Sequence, residues 1–225
     1  MIPLKDNIPS RSFPIVTVGL IGVNVLVFLY QFSQGRNFEV FLIKYAAIPQ
    51  EIMQGGELTP EFSFPIPLTI FTSMFMHGGI FHLFSNMLYL WIFGDNVEDL
   101  LGHFKFLVFY LLCGIAATFS HILTNPNSNL PMVGASGAIA GVLGAYLINF
   151  PYARILTLIF FGFFIRIVSI PAVFVLGFWF ILQLLNGLPS LGSAEATGGV
   201  AWFAHIGGFV AGIILFKIFS LFQKR

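Results

Sequence analysis

Long apolar stretches alternate with short polar segments along most of this chain. Several of them approach the roughly 20 residues that a bilayer core requires, and those at 14–34 and 106–124 contain no Asp, Glu, Lys or Arg. The pattern predicts six spans, at residues 14–34, 80–93, 106–124, 133–150, 171–186 and 200–221. We therefore expect an all-α polytopic membrane protein with six transmembrane helices.

Composition supports this class. Of the 225 residues 57% are hydrophobic and only 8% are charged, and the mean hydropathy is +0.92, which excludes an ordinary soluble protein. A net charge of +1 argues against a nucleic-acid partner. The single cysteine, Cys113, lies in an apolar run, where it is expected to be a packing residue. We expect one membrane domain over residues 1–225.

The polar segments predict the connections. Residues 1–12 are expected to form a cytoplasmic tail and residues 35–70 a long external first loop. The acidic segment 95–105 is predicted as a short turn, and residues 155–170 as a folded connection on the cytoplasmic side. The segment 187–199, which contains Glu195, is predicted as a loop rich in small residues.

The lysines and arginines predict the orientation. With both termini in the cytoplasm, only Arg36 and Lys44 of the ten basic residues lie outside. The eight on the inside are Lys5, Arg11, Lys105, Arg154, Arg166, Lys217, Lys224 and Arg225. This predicts a multi-pass protein of the cell's inner (plasma) membrane, with Ser136 about one turn into span four, near its outer end.

The segment Gly134-Ala135-Ser136-Gly137 introduces a candidate nucleophile into apolar sequence. Glycine has no Cβ, so a chain can turn tightly there and another chain can approach closely. The same small residues are also typical of two membrane helices that simply pack together. The motif alone leaves both readings open.

Span six offers a partner for Ser136. In His205-x-x-Gly208-x-x-x-Gly212 the three named residues share one face of a helix, and Gly137 and Gly141 form a matching row of small residues on span four. Packing along these rows would bring His205 beside Ser136, where it could act as a base. Spans four to six contain no carboxylate, so the sequence predicts a dyad.

Further histidines lie near span two. His82 and Asn86 are four residues apart, so both side chains can be directed at one point, whereas His77 belongs to another face or to the loop. His77, His82 and His205 could alternatively bind a metal, but no H-E-x-x-H motif supports this, and we expect no metal and no cofactor. His103 and His121 are expected to be structural.

These residues resemble the rhomboid family of intramembrane serine proteases. The resemblance rests on Gly134-Ala135-Ser136-Gly137, on Ala204-His205 with Gly208 and Gly212, and on His77 with His82-x-x-x-Asn86. It implies that Ser136 is the nucleophile and His205 the general base. It also implies that His82, Asn86 and the Ser136 backbone N–H form an oxyanion hole, and that Glu98, Gly102 and Lys105 belong to the family's loop after span two.

The sequence departs from the family at two points. The Trp-Arg pair that many members carry in the first loop is absent around Leu68 and Thr69. Some relatives also place an aromatic residue four positions after the serine, against the catalytic histidine. Here that position is Ala140, so His205 is expected to be held by Phe203, Trp202 or Tyr146.

The resemblance implies hydrolysis of peptide bonds in or near transmembrane segments of other membrane proteins, within the lipid bilayer. Water is expected to reach the site from the outer side through a cavity lined by His77, His82 and Asn86. Two other classes stay open. One is a catalytically inactive rhomboid-like protein that binds membrane helices, and the other is a small-solute transporter that uses the histidines as a proton relay.

Overall fold

The computed structural model describes residues 1–56, 58, 64–161, 164–190 and 200–221. Its strands and helices follow in chain order, and the larger helices form one bundle. They are β1 (Ile2–Lys5), α1 (Ile15–Ser33), α2 (Phe38–Tyr45), α3 (Pro49–Gln54), α4 (Ile66–Thr72), α5 (Ile80–Leu101), α6 (His103–Thr124), α7 (Ser136–Asn149), β2 (Arg154–Phe161), β3 (Phe164–Pro171), α8 (Ala172–Gly187) and α9 (Trp202–Leu221).

The predicted fold class is confirmed, since each predicted span coincides with an apolar helix. In the described part of the chain, α1, α6 and α9 are long and apolar enough to cross a membrane. A fourth span results if Ile66–Phe75 and α5, which meet at 78°, are counted together. Helices α7 and α8 are apolar but shorter. The count of six spans stays a prediction.

Helix α7 forms the centre of the bundle. Every residue from Gly137 to Tyr146 is buried, because α5, α6 and α9 all pack around it. A helix enclosed in this way faces other helices along its length, so its sequence is rich in small residues rather than in large lipid-facing ones. Ser136 therefore begins a helix in the protein interior.

The predicted end of span two at residue 93 and the predicted start of span three at residue 106 are both wrong. Asp95, Glu98 and Asp99 lie within α5, which continues to Leu101, and only Gly102 separates α5 from α6. Gly102 has a φ of +79°, a backbone conformation that side chains disfavour, so it can join two helices without a longer loop.

The acidic residues of α5 hold the start of α1. Glu98 is 1% exposed and accepts hydrogen bonds from the backbone N–H of Val16 (2.9 Å) and Thr17 (2.7 Å), while Asp99 accepts from Ser12. The first N–H groups of a helix have no partner within it, and these carboxylates satisfy them. The charges that suggested a turn therefore bind α1 to α5.

A small sheet, which the sequence analysis did not predict, joins the N-terminus to the segment after α7. Strand β2 pairs antiparallel with both β1 and β3, so the predicted tail contains a strand and the predicted connection at 155–170 is a β-hairpin. Tyr146 also donates a 2.6 Å hydrogen bond to Asp6, and burial raises the pKa of that carboxyl.

The segment 35–70, predicted as a loop, contains α2, α3 and the start of α4, and Leu68 and Thr69 lie in α4. Glu57 and Glu61 of this segment lie outside the described residues. The same holds for residues 191–199 of the predicted loop, which include Glu195, and for Lys224 and Arg225.

Candidate active site

A cavity of about 420 Å³ opens where helices α5 to α9 meet. Its wall combines apolar side chains such as Met74 with four polar residues of the predicted site: Ser136, His205, His82 and Asn86. Polar groups within an apolar bundle are costly unless they have partners or a role, so their convergence on one cavity marks the candidate site.

Ser136 is the first residue of α7, so the expectation that it lies one turn into the helix is wrong. Gly134 has a φ of +127°, which a side chain would disfavour, and its N–H donates to the carbonyl of Ser73 at 2.9 Å. This turn delays the start of the helix. The Ser136 N–H is thereby left among the first N–H groups of α7, which have no partner within the helix.

Helices α7 and α9 approach closely along the two predicted rows of small residues. A Cβ atom on Gly208 would overlap the carbonyl oxygen of Gly137, and one on Gly212 would overlap the backbone of Gly141. Backbone contact of this kind is possible only without side chains. It brings His205 Nε2 to 2.8 Å from Ser136 Oγ.

The other side of the His205 ring contacts α8. Nδ1 lies 2.8 Å from Oε1 of Gln183, and the Trp179 ring lies 5.9 Å from the imidazole at an interplanar angle of 35°. Trp202 approaches edge-on at 6.3 Å, as one of the expected aromatic contacts. Tyr146 packs instead on Phe93 and Phe150.

Sequence reasoning missed both α8 residues. Spans four to six contain no carboxylate to orient His205, and the aromatic contacts predicted for its ring lie beside it in the sequence or in span four. A signal was present in the sequence, because Gln183 is a polar side chain within an apolar span, and such residues face the protein interior. No ring contact between Phe203 and His205 occurs among the described residues.

His82 and Asn86 lie on one face of α5, as their spacing predicts, and both face the cavity. The Gly78 N–H donates to His82 Nδ1 in a long 3.4 Å hydrogen bond, which leaves Nε2 as the protonated nitrogen of a neutral ring. A methyl group built on Gly134 would come within 2.8 Å of His82 Nε2 and 3.5 Å of Ser136 Oγ. The two groups therefore border the same space.

Asn86 is 6% exposed, and its Nδ2 has no hydrogen-bond partner within the described part of the chain. A buried donor without a partner is rare, because the lost hydration costs about 1–3 kcal/mol. In a cavity next to a serine hydroxyl, such a donor is available to a bound group that carries an oxygen.

His77 lies behind His82 rather than in the cavity wall. Its ring meets that of His82 at 5.1 Å in a T-shaped contact, and it is not among the residues that line the cavity. Its backbone is held by Gln31, whose amide donates to the His77 carbonyl at 2.7 Å and accepts from its N–H at 3.3 Å. His77 is placed to support His82.

The remaining histidines lie outside the cavity wall. His103 is bonded to Glu98 through Nδ1 at 2.5 Å, and His121 is buried in α6. In the ranges that the structure describes, no group of three or more His, Cys, Asp or Glu side chains is arranged to hold a metal ion.

The chain is similar to a known family over most of its length. A family model described as the Rhomboid domain matches residues 67–222. Rhomboid protein 1, mitochondrial, from Saccharomyces cerevisiae is 31% identical over 200 residues, which are 87% of this chain and 50% of that protein.

Two further relatives match shorter regions. The rhomboid protease GluP of Bacillus subtilis is 33% identical over 135 residues, or 60% of this chain and 24% of that protein. Presenilin-associated rhomboid-like protein A, mitochondrial, from Danio rerio is 32% identical over 152 residues, or 65% of this chain and 36% of the relative. The chain therefore spans half or less of the length of these curated relatives.

Proposed function

Because this chain belongs to the rhomboid family, we propose that it is an intramembrane serine protease in which Ser136 and His205 form the catalytic pair. The observation that carries this proposal is the 2.8 Å hydrogen bond between Ser136 Oγ and His205 Nε2 inside a cavity of the bundle. A serine hydroxyl is a weak nucleophile at neutral pH unless an adjacent base accepts its proton.

In the proposed reaction, His205 Nε2 accepts the Ser136 proton as Oγ attacks the carbonyl carbon of the scissile bond. The imidazolium then gives that proton to the leaving amine, and an acyl-enzyme on Ser136 remains. A water molecule attacks the ester while His205 accepts its proton. Return of this proton to Ser136 Oγ releases the second product and restores the site.

The oxygen of the tetrahedral intermediate needs hydrogen-bond donors. We assign this role to Asn86 Nδ2, to His82 Nε2 and to the Ser136 N–H at the start of α7. Support comes from the unpartnered Asn86 donor and from the His82 tautomer that the Gly78 contact favours. The positive end of the α7 dipole acts in the same direction.

The proposed substrates are transmembrane segments of other membrane proteins. Helix backbone is satisfied internally in lipid, so a scissile carbonyl becomes accessible only where the substrate helix is locally unwound. The test is cleavage of a purified single-span substrate by the wild type and the Ser136→Ala variant. Binding of the substrate without cleavage would instead favour an inactive rhomboid-like protein.

Asn86→Ala is expected to lower kcat by about 10²–10³, the usual cost of removing one oxyanion donor. The KM should change little, because the donor acts on charge that develops only in the transition state. Steady-state kinetics would show this split. Chelators should leave the wild type unaffected, and an Asn86→Ala variant with normal kcat, or chelator inhibition that zinc reverses, would contradict the assignment.

The protein is an integral, multi-pass membrane protein, but its relatives do not support the predicted location in the plasma membrane. The yeast and zebrafish relatives are mitochondrial by name. The orientation of the chain in its membrane stays a proposal that rests on the lysine and arginine distribution.

Single cysteines test this orientation in a Cys113→Ala background. A cysteine at Asn127 should react with impermeant thiol reagents from the side opposite both termini, and one at Lys224 from the side of the termini. Labelling of sealed vesicles of known orientation would distinguish the two. Reaction of both sites from the same side would contradict the proposed topology.

A further inference from the structure

Gln183 is a buried amide within the apolar helix α8, and both ends of its side chain are bonded. It is 5% exposed. Its Nε2 donates to the carbonyl oxygen of Trp179 at 3.0 Å, and its Oε1 lies 2.8 Å from His205 Nδ1. A buried amide is stable in such surroundings only when it is hydrogen-bonded, so both contacts restrict its orientation.

The chemistry of these partners sets the direction of each hydrogen bond. The Trp179 carbonyl can only accept, so it faces the amide nitrogen, and Oε1 is left to face His205. Because Oε1 can only accept, the proton between the two side chains lies on His205 Nδ1. In the neutral ring, Nε2 then carries the lone pair, and Nε2 is the atom 2.8 Å from Ser136 Oγ.

We propose that Gln183 is a positioning residue that holds His205 in the Nδ1–H tautomer, so that Nε2 is ready to accept the Ser136 proton. The inference rests on the proposed function. The Gln183 amide provides the orientation that a carboxylate provides in a Ser-His-Asp triad, without introducing a negative charge into an apolar helix. As His205 becomes positively charged, its Nδ1–H continues to donate to Oε1.

The same turn of α8 also restrains the ring itself. Trp179, four residues before Gln183, lies 5.9 Å from the imidazole and supplies the carbonyl that orients the amide. Among the described residues, the ionisable side chains that act electrostatically on His205 are His82 and His121. Neither is an acceptor for Nδ1 among the described residues, so the tautomer depends on Gln183.

Gln183→Met removes the acceptor while keeping the length of the side chain. It is expected to lower kcat by about 10–100-fold, by analogy with the hydrogen-bond partners that orient metal-binding histidines. The KM should change little, since Gln183 does not line the cavity. Gln183→Glu restores an acceptor at the same atom and should recover most of the lost kcat.

Asn186→Leu is the matched control on the same helix. Asn186 also donates its amide to a carbonyl four residues earlier, that of Leu182 at 2.7 Å, but it is exposed and does not contact His205. This variant should keep the wild-type kcat. A kcat loss in Asn186→Leu equal to that in Gln183→Met would show that helix α8, and not the tautomer, is responsible.

The tautomer can be read without proteolysis from the ¹⁵N spectrum of histidine-labelled protein, in which His205→Ala identifies the signals of His205 among the five histidines. The wild type should show a protonated Nδ1 and an unprotonated Nε2, and Gln183→Met a mixture. A wild-type spectrum with the proton on Nε2, or unchanged kcat in Gln183→Met, would overturn the inference. Equal cleavage by wild type and Ser136→Ala would instead overturn the proposed function.

Discussion

Ser136→Ala is expected to abolish cleavage of a single-span membrane substrate, with a loss in kcat of about 10⁶ if the proposed chemistry holds. The substitution removes one oxygen from the wall of a cavity. Because no packing atom of the bundle is lost, the thermal unfolding temperature should stay nearly unchanged. Both quantities can be measured on the same purified preparation.

Ser220→Ala provides the matched control. Its hydroxyl donates to the carbonyl of Lys217 in its own helix, near the end of α9 that lies away from His205. The same chemical change there should leave cleavage intact. Cleavage above background by Ser136→Ala would contradict a serine mechanism at this site.

Gly212→Ala adds only one methyl group but is expected to lower the free energy of unfolding substantially. The new Cβ would overlap the backbone of Gly141, which cannot move as a flexible side chain can. Helices α7 and α9 must then separate, at a cost of about 1–3 kcal/mol or more. Since His205 lies two turns before Gly212 on the same face of α9, its hydrogen bond to Ser136 should be lost as well.

Gly22→Ala in α1 is the control for this substitution. A Cβ at Gly22 would meet no atom within 4 Å, and alanine favours a helix more than glycine does. This variant should be at least as stable as the wild type. A Gly212→Ala variant with unchanged thermal unfolding and activity would contradict the close approach of α7 and α9.

The approximate positions of the apolar helices could be predicted from the length of the apolar stretches, and the Ser136–His205 pair from the periodicity of the helix. Residues three, four and seven apart share one face of a helix, so the glycines after His205 and Ser136 indicated how α9 meets α7. Contact between two smooth rows then determined which polar residues would be neighbours.

Other features depend on backbone conformation or on single long-range contacts, which leave a weaker trace in the sequence. The turn at Gly134, with its φ of +127°, makes Ser136 the first residue of α7, and spacing alone does not show this. The hairpin at β2 and β3 was not predicted because the run is apolar almost throughout. The alternation that is typical of a strand becomes visible only in the structure, where Ile155 and Thr157 are buried and Leu156 is exposed.

The contact between Gln183 and His205 does not follow from the residue types of a triad. A Ser-His-Asp triad orients its histidine with a carboxylate, yet an amide also supplies an acceptor oxygen. A polar side chain in an apolar span is the more general indication of a buried contact. Gln31 and Asn24 in α1 are also polar residues in an apolar span, and both are fully buried.

Activation of Ser136 by His205 can be measured by covalent labelling of the serine, without a protein substrate. Purified protein would be treated with a fluorophosphonate and analysed by mass spectrometry of the intact chain and its peptides. We expect a single adduct on Ser136 in the wild type and none in His205→Ala, whose serine has lost its base. Equal labelling of Ser136 in the two proteins, or an adduct on another residue, would contradict this activation.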